Sequence, residues 1–265
     1  MRSKHSTDSR TGQLAPTTAE GNPAVTTPTG TLFTDRFAAA CAEAVAVHGR
    51  EFRKGTSVPY LSHPLAVASI AIDFGANEDQ AIAALLHDVV EDGGGQEKLD
   101  QLREEFGDEV ARIVEALSDA KPAPGTKKPP WWIRKVDYLD SLIEEDPAVA
   151  LVCASDKLHN LRAINADHLE HGPELWGRFA TKRRGTLWYY GRLAEILPGL
   201  LTDEAGARLA SLIVDEYRNL LAQVLADPRE ATDHAALEVE LDQARQFEEQ
   251  ARKKIDPEPR DEGKP

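Results

Sequence analysis

The chain has 265 residues, 41% of them hydrophobic and 29% charged, a length that suits one sizeable domain with additional tails. Asp and Glu total 45 against 31 Lys and Arg, a formal charge of −14, which argues against a sequence-independent binder of duplex nucleic acid or of an anionic membrane; a polyanionic ligand needs a local basic pocket. The apolar runs, such as residues 81–86, are far too short to span a bilayer, the N-terminus has no apolar signal segment, and the two cysteines, Cys41 and Cys153, cannot build a disulfide framework, so a cytoplasmic protein without a membrane partner is expected.

Residues 1–30 are rich in Thr, Ser, Pro and Gly and read as a disordered leader, because they bury too little apolar surface to offset ordering entropy. From 31 to 226 the apolar residues recur at i, i+3 and i+4 with no alternating strand pattern, which predicts a single all-α domain, a helical bundle. Thr34 is a cap for a helix to about Val47. Ser62 is a cap for one that opens with His63 and Pro64 and stops at Gly75. Asn77 with Gln80 forms a capping box for a helix that runs to the Gly93-Gly94-Gly95 break. Further helices are expected at 96–119, 131–145, 147–167, 173–196 and 202–226, with the proline-interrupted stretch 120–130 as a loop. Residues 227–265 are predicted as a charged, solvated helix from about His234 to Lys254 and then a frayed tail. No Gly-rich phosphate loop occurs, so nucleotide binding must use another device.

The most informative stretch is residues 83–92, an apolar helix that suddenly presents His87, Asp88, Glu91 and Asp92. In one continuous helix His87 and Glu91 are i,i+4, as are Asp88 and Asp92, which puts the two pairs on adjoining strips. Imidazole nitrogen with carboxylate oxygen is a ligand set suited to a divalent transition metal, and carboxylates one turn further on can position or deprotonate a water. His63 at a helix start and Asp156 in a largely apolar helix can complete the set, since a buried aspartate is costly unless it is paired or ligates a metal. Taken singly, each element is ordinary. Glu91-Asp92 reads as a solvated helix end and Asp156-Lys157 as a surface ion pair of little worth. The order His, His-Asp, Asp over three segments carries the weight.

These segments resemble the HD superfamily of metal-dependent phosphohydrolases, and more closely the hydrolase domain of the RelA/SpoT group and its free-standing small alarmone hydrolases. The matching pieces run from His48 through Arg53-Lys54-Gly55 to Pro59-Tyr60-Leu61-Ser62-His63-Pro64, then Leu86-His87-Asp88-Val89-Val90-Glu91-Asp92, Phe106-Gly107, and Asp156-Lys157-Leu158-His159-Asn160-Leu161-Arg162. They cover roughly residues 35–195. The resemblance implies one divalent metal, manganese in that family, with His63, His87, Asp88 and Asp156 as ligands; other divalent transition metals suit the same donors. It implies Glu91 and Asp92 as the catalytic pair that activates water against the 3′ diphosphate of (p)ppGpp, releasing pyrophosphate and GDP or GTP. Arg53 matches a residue that packs on guanine and Asn160 one that contacts the nucleotide, while Lys54 can attract phosphate. The neighbouring readings are an HD hydrolase of another nucleotide (a nucleoside monophosphate, NADPH or a pyrophosphorylated tRNA end) and a non-catalytic alarmone binder. The sequence names no protein partner.

Two acid-free stretches offer a phosphate wall: Lys121, Lys127, Lys128, Arg134 and Lys135, and then Lys182, Arg183, Arg184 and Arg192. Most read as solvated charges, with Lys121 and Lys157 the exceptions by family position. His159, His168 and His171 read as surface or supporting residues, and Trp188, Tyr189 and Tyr190 as core at helical spacing.

Overall fold

Thr34 starts the first helix, its hydroxyl accepting the Arg36 N–H at 3.2 Å, and α1 runs Asp35–His48. The coordinates are a computed structural model that describes residues 32–118 and 127–255, and no β-strand occurs among them. The leader, Lys121 and the final ten residues therefore lie outside the described residues. Helix α2 spans Ser62–Asp73, but Ser62 is not its cap: the hydroxyl donates to the Pro59 carbonyl at 2.8 Å and is spent on the turn that feeds the helix. The capping box at α3, Glu78–Leu86, is complete, with Gln80 N–H on Asn77 Oδ1 at 2.9 Å and Asn77 N–H on Gln80 Oε1 at 2.8 Å.

The expected continuous helix through residue 92 is broken. Helix α3 stops at Leu86 and α4, Val89–Gly93, begins after His87 and Asp88. The His87 Nδ1–H donates to the Ala84 carbonyl at 2.9 Å, the acceptor that an unbroken helix would offer to the Asp88 N–H. The next expected helix is also two: α5, Gln96–Phe106, and α6, Asp108–Leu117, separated by Gly107 at φ +92°, a conformation that favours glycine. Then follow α7, Trp131–Ile143, and α8, Pro147–His171, which Asp146 caps by accepting from the Ala148 and Val149 N–H groups. The stretch read as one helix at 173–196 divides into a 3₁₀ segment, Gly172–Arg178, and α9, Lys182–Leu200. Helices α10, Glu204–Ala226, and α11, His234–Ile255, complete the chain.

Helix α8 is the axis of the bundle and packs against α2, α3, α6, α9 and α10. From Ala81 to Leu86 helix α3 is apolar on every side and wholly buried, so this part is enclosed by other helices. Leu85, Leu86, Leu102, Leu139, Leu158 and Leu187 are among the fully buried side chains, each contributing about 1.5–3 kcal/mol relative to exposure. Helix α11, expected to be solvated, is so on one face only. Leu237, Ala244 and Ala251 are buried against α7 and α9, and the Phe247 ring stacks on Trp132 with centroids 5.2 Å apart. No helix among the described residues is long and apolar enough to cross a membrane.

Glu230 ties the far end of α8 to the rest. It accepts from His168 at 2.8 Å, Trp176 Nε1 at 2.6 Å and Arg183 at 2.6 Å, with its side chain 2% exposed. Removing a partner from such a buried ionic group leaves charge uncompensated. The Glu230→Ala protein is expected to lose about 3–5 kcal/mol in urea unfolding. Glu230→Gln, which keeps the side-chain volume and part of the hydrogen bonding, should lose less, and equal losses would show that the charge alone matters there.

Candidate metal centre

Three stretches of helix bring the ionisable groups to one point. His63 stands in the first turn of α2, His87 and Asp88 at the α3–α4 break, and Asp156 midway along α8. The break matters, because it places His87 and Asp88 side by side at the cluster: His87 Nε2 is 3.0 Å from Asp88 Oδ2, and His63 Nε2 is 3.6 Å from the same oxygen. Asp156 Oδ1 lies 3.2 Å from His63 Nε2 and 3.8 Å from His87 Nε2. One ligand atom from each of His63, His87 and Asp88 falls within 4.8 Å of the others. Atoms bound to a common ion at about 2.1 Å stand about 3–3.5 Å apart, so the spacing fits a divalent transition metal.

The surroundings orient these donors. With its Nδ1–H spent on the Ala84 carbonyl, His87 presents the Nε2 lone pair; that atom is buried and makes no hydrogen bond, despite its closeness to Asp88. His63 Nδ1 lies 2.8 Å from His159 Nδ1, so His63 donating there turns its Nε2 to the cluster. Burial, with His63 and Arg53 beside it, pushes His159 down to about 4, which keeps it a neutral acceptor. The Tyr60 hydroxyl donates to Asp88, and Asn160 Nδ2 donates to Asp156 Oδ1 at 2.5 Å.

Burial by itself would lower the His87 imidazole, but the Asp88 and Asp156 carboxylates raise it to about 9. Burial would likewise raise Asp156, yet the Lys157 ammonium, 2.5 Å from Oδ2, and the two imidazoles hold it well below the usual carboxylate range. Both shifts say that the cluster favours positive charge at its centre, whether proton or metal ion.

Around the cluster is a cavity of about 200 Å³ whose lining includes Arg53, Tyr60, Glu91, Lys135, Lys157 and Asn160. Glu91 is half-buried there with Oε2 3.3 Å from Lys128 Nζ. Arg53, Tyr60 and Asn160 also line a second compartment of about 210 Å³, with Lys54 at its edge. Arg53 Nη2 donates to Asn160 Oδ1 at 3.2 Å, which fixes the guanidinium on the shared wall. The structure therefore brings together His63, His87, Asp88, Asp156, Glu91, Lys157, Asn160 and Arg53. The Asp92 side chain and Lys121 lie outside the described residues.

Among the basic residues of the two acid-free stretches, Lys135 reaches the cavity, whereas Arg183 is consumed by Glu230 and Glu240. A more open cleft of about 590 Å³ beside Arg183 and Phe247 gathers no comparable set of nitrogen and carboxylate donors, so size does not mark the site. His168 pairs with Glu230, and Trp188, Tyr189 and Tyr190 are buried. Sequence reasoning assigned no role to Tyr60 or Tyr138. The signal for Tyr60 was its place three residues before His63, at the helix entry. Tyr138, which lines the cavity and shares a hydrogen bond with Cys153 Sγ at 3.2 Å, carried none.

A family model described as an HD domain matches residues 40–186. Among curated relatives, a probable GTP pyrophosphokinase of Mycobacterium leprae is 37% identical over 118 residues, 44% of this chain and 14% of that protein. A guanosine-3′,5′-bis(diphosphate) 3′-pyrophosphohydrolase of Haemophilus influenzae is 34% identical over 119 residues, 45% of this chain and 17% of its own length. A GTP pyrophosphokinase of Streptomyces coelicolor is 33% identical over 172 residues, 62% of this chain and 19% of its length. The chain thus spans less than a fifth of each of these relatives. A solved structure described as a metazoan ortholog of SpoT that hydrolyzes ppGpp has the same fold, with a TM-score of 0.55 and 22% identity over 71% of this chain and 98% of that one.

The donor geometry makes a direct prediction for the metal. Thermal unfolding with Mn²⁺ at about a hundredfold over its Kd should show a stabilisation of about 2.7 kcal/mol that a chelator removes. In His87→Ala the metal-dependent gain should vanish; an unchanged gain would take His87 out of the ligand set.

Proposed function

The chain belongs to the HD domain family, and on that premise we propose that it is a metal-dependent 3′-pyrophosphohydrolase of ppGpp and pppGpp, acting in the cytoplasm, with residues 31–226 as its catalytic domain and 227–265 as a charged flank. The observation that supports this reading most is the placement of a nitrogen–carboxylate cluster, an acid and several cations in one cavity that shares Arg53, Tyr60 and Asn160 with a second compartment beside it. A reacting diphosphate belongs in the first and a nucleoside in the second. The relatives named above as pyrophosphohydrolase or pyrophosphokinase handle guanosine polyphosphates by their names, which points to the same substrate class here.

In this reading His63, His87, Asp88 and Asp156 hold one divalent ion, manganese by preference, which supplies Lewis acidity and lowers the pKa of water. The chain's own groups do the rest. Glu91, with Asp92 beside it in sequence, takes the proton of the attacking water. The new bond forms between that oxygen and the phosphorus attached to O3′. The P–O3′ bond breaks, and O3′ leaves as the hydroxyl of GDP after gaining a proton. Lys157, and Lys135 above the Tyr189 ring at 4.9 Å, are placed to offset phosphate charge, and Tyr60 steadies Asp88. Arg53 offers its guanidinium face to the base and Lys54 a point charge at the edge of the second compartment.

Incubation of the Mn²⁺-loaded protein with ppGpp, followed by anion-exchange chromatography, should yield GDP and pyrophosphate in equal amounts. Folded, metal-bound protein that releases neither, or that prefers a nucleoside monophosphate, NADPH or pyrophosphorylated tRNA in a parallel panel, would defeat the alarmone reading. The Glu91→Gln protein should retain the metal-dependent stabilisation and lose about 10²–10⁴-fold in kcat. Loss of the metal along with turnover would instead make Glu91 a ligand.

A further inference from the structure

The second compartment ends in an ion pair that the chemistry above does not use. Asp156, Asn160, Ala163 and Asp167 follow one another at intervals of four, three and four along α8, so they share one face of that helix. Asp167 stands eleven residues beyond Asp156, about 16 Å along the axis, so the two mark opposite ends of that face, with room between them for a nucleotide together with the side chains that reach it. Between the two ends the walls become apolar, with Ile164, Leu175, Phe179 and Tyr190 lining the compartment. A flat ring fits such walls, and polar groups at the end would fix its identity.

Arg178 Nη1 donates to Asp167 Oδ2 at 2.7 Å, with the two side chains 19% and 35% exposed. A pair this open contributes little stability. Its position is nevertheless built: the Arg178 stem crosses Gly55, where an added Cβ would sit 3.0 Å from Arg178 Cδ, and Gly55 has φ +74°. We propose that Asp167, oriented by Arg178, reads the Watson–Crick edge of guanine in this compartment. The inference rests on the assignment of the chain to guanosine nucleotides. Guanine presents two adjacent donors, N1–H and the 2-amino group, and one carboxylate can accept both while keeping the bond from Arg178, because each oxygen has two lone pairs. Adenine turns an acceptor nitrogen and a C–H toward the same oxygens and leaves the carboxylate unmatched. Asp167 is thus a specificity residue and Arg178 a positioning residue.

The test uses the full chain loaded with Mn²⁺ and calorimetric titration with GDP, IDP, XDP and ADP, none of which carries a 3′ diphosphate to hydrolyse. The wild-type protein should bind GDP about tenfold more tightly than IDP, which lacks the 2-amino group, and more tightly still than ADP. Asp167→Asn should weaken GDP by about tenfold or more and favour XDP, whose 2-carbonyl accepts from the new amide. Arg178→Gln should reduce the GDP-to-ADP ratio; a merely structural role would lower all four affinities alike. Wild-type affinities within threefold of one another overturn the inference without recourse to any variant, and so does Asp167→Asn protein that keeps the preference for GDP. Turnover of ppGpp without base discrimination defeats this inference and leaves the hydrolase reading standing. Base discrimination without turnover does the reverse.

Discussion

Two carboxylates and two imidazoles meet where helices pack against one another in the interior, and most of the architecture answers that one electrostatic problem. An ionised carboxylate moved out of water costs several kcal/mol unless opposite charge and hydrogen bonds replace the lost solvent. Asp156 obtains them from Lys157, Asn160 and the imidazoles, and Asp88 from Tyr60 and His87. The four groups come from three separate parts of the chain, so α2, α8 and the α3–α4 junction have to converge. The buried apolar run Ala81 to Leu86 of α3 holds that junction in place from behind.

The same arrangement explains how a chain of net charge −14 can serve an anionic ligand. The acidic excess describes the chain as a whole, while the walls of the two compartments carry Arg53, Lys54, Lys135 and Lys157. Field lines in a cleft follow the nearest charges and the low-dielectric walls, so the local sign is set by these cations and by whatever cation the cluster holds. Outside, the acids are largely spent on pairs such as Arg112–Glu109 and Arg245–Asp242, which neutralise one another at the surface.

Much of the site was legible in the sequence because ionisable residues interrupt otherwise apolar helical patterns there: His87-Asp88 after Leu86, and Asp156 after Ser155. Helix positions set by local capping were legible too, as at Thr34 and Asn77. What escaped was of two kinds, local side-chain choices between alternative backbone partners and contacts between distant segments. Nothing in residues 83–92 disfavours a continuous helix, since the break arises when the His87 ring takes the Ala84 carbonyl, a choice made in the folded site. Ser62 looked like a cap but serves the preceding turn. The charged α11 read as solvated because Leu237, Ala244 and Ala251 are sparse among acids and bases, and their burial depends on α7 and α9, where Phe247 meets Trp132 and Glu248 accepts from Trp188. Glu230 is one acid among many until His168, Trp176 and Arg183 close around it.

The helix break also divides the site mechanically. The donors His63 and Asp156 sit on helices of 12 and 25 residues that are anchored through the bundle. Glu91 sits on α4, only five residues long, with the His87-Asp88 joint before it and Gly94 and Gly95 at positive φ after it. Val89 and Val90 pin this short segment to the core, so the direction of Glu91 is set within a single turn. The scaffold thereby separates two parts: His63 and Asp156 of the nitrogen–carboxylate cluster are held by long packed helices, while the acid beside the cluster rides on one short turn whose aim depends on its own few residues.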